Sequence, residues 1–185
     1  YLFAFAVGDF QYAAHEENGR TIGAYHRETD SLRIAQLPEI MSQVEFALQW
    51  LENYTGMPYP FPKYDIVILP GFQFGGMEHV GATFYNDNVI FLSSNATEDE
   101  RLKRTKLIAH ETSHMWFGDA VTMDWFDDVW TKEVFANYFA AEITAPLFPD
   151  INHELNWLKT YTAAAISQDR TEGRTSIRQS LPNLR

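Results

Sequence analysis

The sequence contains no cysteine, which excludes a disulfide scaffold, a thiol nucleophile and any thiolate metal site, while leaving the cellular compartment undecided. It also lacks any apolar run near the roughly 20 residues that span a bilayer. Cations are scarce: 14 Lys plus Arg stand against 25 Asp plus Glu, for a net charge of -11. Such a surface repels phosphate backbones and anionic lipid heads, so neither nucleic acid nor direct membrane contact is expected. Glycine and proline, 10 and 8 in 185 residues, are too few for a collagen-like or low-complexity chain. What remains, 45% apolar residues with 15% aromatic, suffices for a buried core in one domain, or one domain and part of another.

Aromatic and β-branched residues dominate Tyr1 to Phe10, and Asn18-Gly19 between two β-rich stretches is a strong two-residue hairpin signal. Too few strands lie here to build a sheet, so residues 1–30 are expected to be the trailing strands of an upstream β domain. The chain begins as if partway through a strand and is expected to be a piece of a longer protein. From Ser31 the period changes: Pro38 suits a first helical turn, and Ile40, Val44, Ala47, Leu48 and Leu51 recur at helical spacing before Gly56. Tyr64 to Pro70 suits a buried strand, followed by a glycine-containing loop to Gly76 and strand-like stretches at Met77 to Tyr85 and Asn88 to Leu92. Thr97 with Glu100 makes a capping box opening a helix to about Phe117. Further helices are expected over Lys132 to Thr144 and Asn152 to Gln168, while Asp169 to Arg185 is polar and indeterminate. The fold class is α+β.

The chemistry-bearing segment is His110-Glu111-Thr112-Ser113-His114, an HExxH motif inside a predicted helix. Helical positions four apart lie about 40° from each other, so both imidazoles can converge on one ion. Glu111 projects about 100° from His110, where a base acting on the attacking water belongs. Tetrahedral catalytic zinc needs a third protein ligand and an open position. After His114 come eighteen residues and then Glu133, on a second predicted helix with room to fold back beside the first. HExxH alone arises by chance; Glu133 at this spacing makes a metal site the better reading. Trp116, Phe117, Trp125, Phe126 and Trp130 flank these helices and are expected to pack in the core.

His110, Glu111, His114 and Glu133, together with Gly75-Gly76-Met77-Glu78-His79 upstream, resemble the zinc aminopeptidases of the membrane alanyl aminopeptidase and leukotriene hydrolase kind. The resemblance implies a partial thermolysin-like catalytic domain over residues 31–185, truncated at its C-terminal side, one zinc ion per chain, and peptide substrates with a free N terminus. In that family the GxMEN motif lies on an edge strand of the substrate cleft and its Glu binds the α-amine. Carried over, Glu78 is the amine anchor, Met77 belongs to the same motif, and the backbone of Gly75 and Gly76 hydrogen-bonds the peptide. His79 departs from the family's Asn, and Ala140 from an acidic residue found in many relatives seven places after the third ligand. Asn137, one turn after Glu133, is a candidate for orienting His110, with a solvated role equally open.

Relatives also supply an oxyanion-stabilising Tyr that lies farther downstream than Arg185. Tyr138 and Tyr161 are too near Glu133 to match it, so this chain alone is expected to be inactive or weakly active. The reading is a zinc metallo-aminopeptidase, with Glu111 as general base. Two rivals stay open: a thermolysin-like endopeptidase, which has no use for an amine anchor, and a noncatalytic interaction domain that keeps the fold. Substrate preference, oligomeric state and compartment are not legible in the sequence.

Overall fold

The structure is a computed structural model that describes residues 3–174, 176–178 and 180. Strands β1 (Gln11–Glu17) and β2 (Arg20–His26) form an antiparallel hairpin, closed by Asn18 and Gly19 at φ 53° and 78°. Positive φ at both central residues is the mirror-image turn that matches strand twist, as Asn-Gly announces. Residues 3–10 form no strand, contrary to expectation; an aromatic, β-branched run becomes a strand only with a partner to pair with.

The hairpin does not stand apart from the rest of the chain. Strand β2 pairs in parallel with β3 (Tyr64–Leu69), β3 pairs in parallel with β5 (Thr83–Asn86), and β4 (Gly76–Met77) pairs antiparallel with β5. One mixed sheet of order β1-β2-β3-β5-β4 results. The hairpin residues expected to close an upstream domain are therefore bonded into the sheet that carries the later motifs. Arg20 adds to this junction, donating to Glu45 at 3.0 Å and to Glu52 at 2.6 Å.

Helix α1 (Ser31–Ile34) leads to α2 (Leu37–Thr55), which has Pro38 in its first turn and ends on Gly56 at φ 67°. The stretch expected as a strand at Asn88 to Leu92 is instead entered by α3 (Asp87–Ile90), because the Asn86 side chain caps the Asn88 amide. Helix α4 (Glu98–His114) opens on the Thr97–Glu100 capping box, and α5 (Val129–Thr144) packs along it. The last helical stretch is broken: α6 (His153–Trp157), a π turn (Leu158–Thr162) and α7 (Ala163–Asp169).

Ile22, Ala24, Tyr64, Ile66, Ile68 and Tyr85 share one face of the sheet and join Ile40, Val44, Leu48 and Leu51 of α2 with Ile108 and Ala109 of α4 in a single core. Each of the Ile, Val and Leu side chains contributes about 1.5–3 kcal/mol through burial. The Tyr64 hydroxyl meets Thr112 Oγ1 at 3.1 Å, fixing the HExxH turn of α4 to the central strand. No helix among the described residues is long and apolar enough to cross a membrane.

Candidate metal and peptide site

Helix α4 carries His110, Glu111 and His114 on the side facing α5 and β4. The intervening Thr112 and Ser113 are fully buried and bond back to Ile108 and Ala109 carbonyls at 2.8 and 2.7 Å, so they satisfy their hydroxyls inside the helix. The helix stops at His114, and the chain turns through Gly118 at φ 151°. A Cβ there would lie 3.2 Å from His114 Nδ1 and 3.3 Å from the His114 carbonyl oxygen.

His114 Nδ1 lies 3.2 Å from the Phe117 carbonyl oxygen. A carbonyl only accepts, so Nδ1 carries the proton and Nε2 presents its lone pair to the site. His110 Nε2 lies 3.1 Å from His114 Nε2, and Glu133 Oε2 lies 3.5 Å from the first and 3.7 Å from the second. The circle through these three atoms has a radius of about 2.0 Å, the length of a zinc–nitrogen or zinc–oxygen bond. Two imidazoles and a carboxylate are also the donor types that suit such an ion.

Glu111 is buried at 4% exposure against β4. A Cβ at Gly76 would fall 2.7 Å from Glu111 Cγ, so the Glu111 carboxylate reaches this position only because residue 76 has no side chain. Burial pushes the Glu111 carboxyl up to about 8, with Glu78 and Glu133 adding to the rise and His114 and Lys132 opposing it. The neighbouring His110 and His114 imidazoles hold the Glu133 carboxyl well below the ordinary carboxylate range. Burial likewise raises Asp119 to about 6, assisted by Glu78. Four carboxylates thus gather, Glu78 and Glu111 buried and Glu133 reaching solvent, in a field that a divalent cation relieves.

Glu78 follows β4 and is 4% exposed. Burial alone would raise its pKa, yet His114 and a hydrogen bond from the Lys132 ammonium hold it lowered. The edge strand also has an open side. The Asn86 amide donates to the Gly75 carbonyl at 3.0 Å, and Gly76 stands opposite Tyr85. By antiparallel alternation, the N–H and C=O of Gly76 point away from β5, while the Gly75 carbonyl is already engaged. The Met77 carbonyl accepts from His79 at 3.0 Å.

Of the residues singled out from sequence, His110, Glu111, His114, Glu133, Gly76 and Glu78 converge. Asn137 Oδ1 accepts from the Tyr161 hydroxyl at 3.1 Å. Trp116 and Phe117 pack inward, Phe117 stacking on Phe139 at 4.5 Å, but Trp125 and Trp130 are 48% and 37% exposed rather than core. Sequence reasoning missed Lys132 and Asp119. Lys132 adjoins the third candidate ligand on α5, and that adjacency was the available signal.

Residues 40–184 match the family described as the peptidase family M1 domain. Similar proteins include endoplasmic reticulum aminopeptidase 1 of Homo sapiens, 31% identical over 159 residues, covering 82% of this chain and 16% of that protein. Probable aminopeptidase 2 of Sulfurisphaera tokodaii is 30% identical, covering 91% of this chain and 21% of its own length. Aminopeptidase N of Lactobacillus delbrueckii subsp. lactis is 31% identical, covering 96% and 21%. The chain therefore spans about a fifth or less of these relatives, 16 to 21%.

Proposed function

The chain belongs to the peptidase M1 family, and from that membership and the site geometry we propose that it is part of the catalytic domain, thermolysin-like in fold, of a zinc aminopeptidase. The observation that carries the reading is the triangle of His110 Nε2, His114 Nε2 and Glu133 Oε2, with sides of 3.1, 3.5 and 3.7 Å. These three residues would hold one zinc ion. When bound, zinc supplies a Lewis acid that polarises the scissile carbonyl and acidifies water.

The protein's own groups do the rest. Glu111, buried beside the ligands, takes a proton from the attacking water and returns it to the leaving amine. Its burial, which favours the neutral carboxylic acid, suits the second of these transfers. The outward N–H and C=O of Gly76 accept an extended peptide as an added strand along β4, placing its backbone past Glu111. Glu78 receives the α-ammonium through a charge-assisted hydrogen bond. Fixing a charged amine beside the metal site selects the first peptide bond and makes the enzyme an exopeptidase.

A test compares a free-amine dipeptide amide with its N-acetylated form on the zinc-loaded protein. Binding and cleavage of the free amine, lost by about two orders of magnitude in Glu78→Ala with zinc retained, is the expected result. Equal handling of the acetylated peptide would favour the endopeptidase alternative and remove Glu78 from its role.

A further inference from the structure

Lys132 stands immediately before Glu133 on α5, and its ammonium donates to Glu78 Oε1. The same nitrogen lies 3.6 Å from Glu133 Oε1. Both members of the Glu78–Lys132 pair are buried, their side chains 5% and 10% exposed. The ammonium thus makes the contact that a substrate α-ammonium is read as making: a carboxylate hydrogen bond next to the metal site. Lys132 also lines a cavity of about 260 Å³ together with Asp119, Asp124 and Trp125. In it Asp119 Oδ2 is buried and accepts no hydrogen bond among the described residues.

We propose that Lys132 is a specificity-determining residue that occupies the α-amine subsite from within, and that a substrate ammonium must displace it from Glu78 toward Asp119. The proposal rests on the reading of Glu78 as the amine anchor. Its energetic content follows from exchange. A buried carboxylate without a cation is costly, so Lys132 neutralises Glu78 before any ligand arrives. An incoming ammonium then gains only the difference between two similar ammonium–carboxylate contacts, partly recovered as Lys132 moves to Asp119. The preference for free N termini is accordingly weaker than a bare Glu78 would give. The flexible four-carbon stem of lysine suits such a displacement, and a planar guanidinium would not.

The experiment is calorimetric binding of leucinamide and N-acetyl-leucinamide to the zinc-loaded chain, in wild type, Lys132→Met, Lys132→Gln, Glu78→Gln and the Glu78→Gln/Lys132→Met pair. Methionine keeps most of the stem and removes the charge, and glutamine guards against an effect of lost polarity alone. The expected result is leucinamide binding tightened roughly tenfold in both Lys132 variants, no change for the acetylated compound, and no tightening once Glu78 is Gln. Unchanged or weaker leucinamide binding in both Lys132 variants, with Glu78→Gln still weakening it, overturns the proposal and leaves the anchor standing. Leucinamide affinity untouched by Glu78→Gln overturns the anchor and the proposal together.

Discussion

Glu111 occupies the space that a side chain on Gly76 would fill: a Cβ there would come within 2.7 Å of Glu111 Cγ. The edge strand and the Glu111 carboxylate are thereby interlocked. A glycine in an edge strand is usually a weakness in the sheet, but here it lets backbone and carboxylate meet at the site.

Gly76→Ala is therefore expected to move the Glu111 carboxylate without touching a metal ligand. Zinc content should stay at the wild-type level, while hydrolysis of an aminoacyl arylamide falls roughly 10- to 100-fold, the cost of a misplaced reacting group. Undiminished turnover in this variant would show that Glu111 does not work from the position described.

Gly118→Ala should act on the metal instead. A residue with a side chain is strained at φ 151°, and its Cβ would press on His114 Nδ1 at 3.2 Å, against the hydrogen bond to Phe117. The expected outcome is a loss of about 1–3 kcal/mol in stability together with weakened zinc binding. Denaturation and competition with a chelator measure the two effects, and wild-type values in both would contradict this account of the turn.

A third expectation concerns the hairpin. Glu45 on α2 is 2% exposed and paired with Arg20 of β2 at 3.0 Å. Arg20→Met should strand that carboxylate and cost roughly 2–4 kcal/mol, and adding Glu45→Met should restore most of it. No loss on Arg20→Met would mean that residues 11–26 are not docked on α2 as the structure has them.

The candidate ligand set was readable because helical geometry alone brings positions 110 and 114 together, and Glu133 falls on a helix of its own. Asn18-Gly19 and the Thr97–Glu100 box were equally legible, since turn and cap chemistry is local. What stayed hidden depends on distant contacts. Lys132 and Glu78 are 54 positions apart, so adjacency to Glu133 places Lys132 near the site without revealing its partner. The strand expected at Asn88 to Leu92 gave way to a helical turn because an Asn86 cap outweighed a β-branched run. Trp125 and Trp130 resemble core residues by type, yet both are exposed, Trp125 at the rim of the cavity beside Lys132 and Trp130 in the first turn of α5. The π turn at Leu158–Thr162 leaves no mark in the apolar spacing of that segment.

The most direct test of the central claim is the zinc content of the purified chain, by elemental analysis after equilibration with a small excess of zinc and dialysis. Wild type and Glu111→Gln should each retain one ion per chain, because Glu111 is a base and not a ligand, while Glu133→Ala should retain far less than one, because two imidazoles alone do not complete the site. Loss of zinc from Glu111→Gln as complete as from Glu133→Ala, or full retention by Glu133→Ala, would contradict the division of roles on which the account depends.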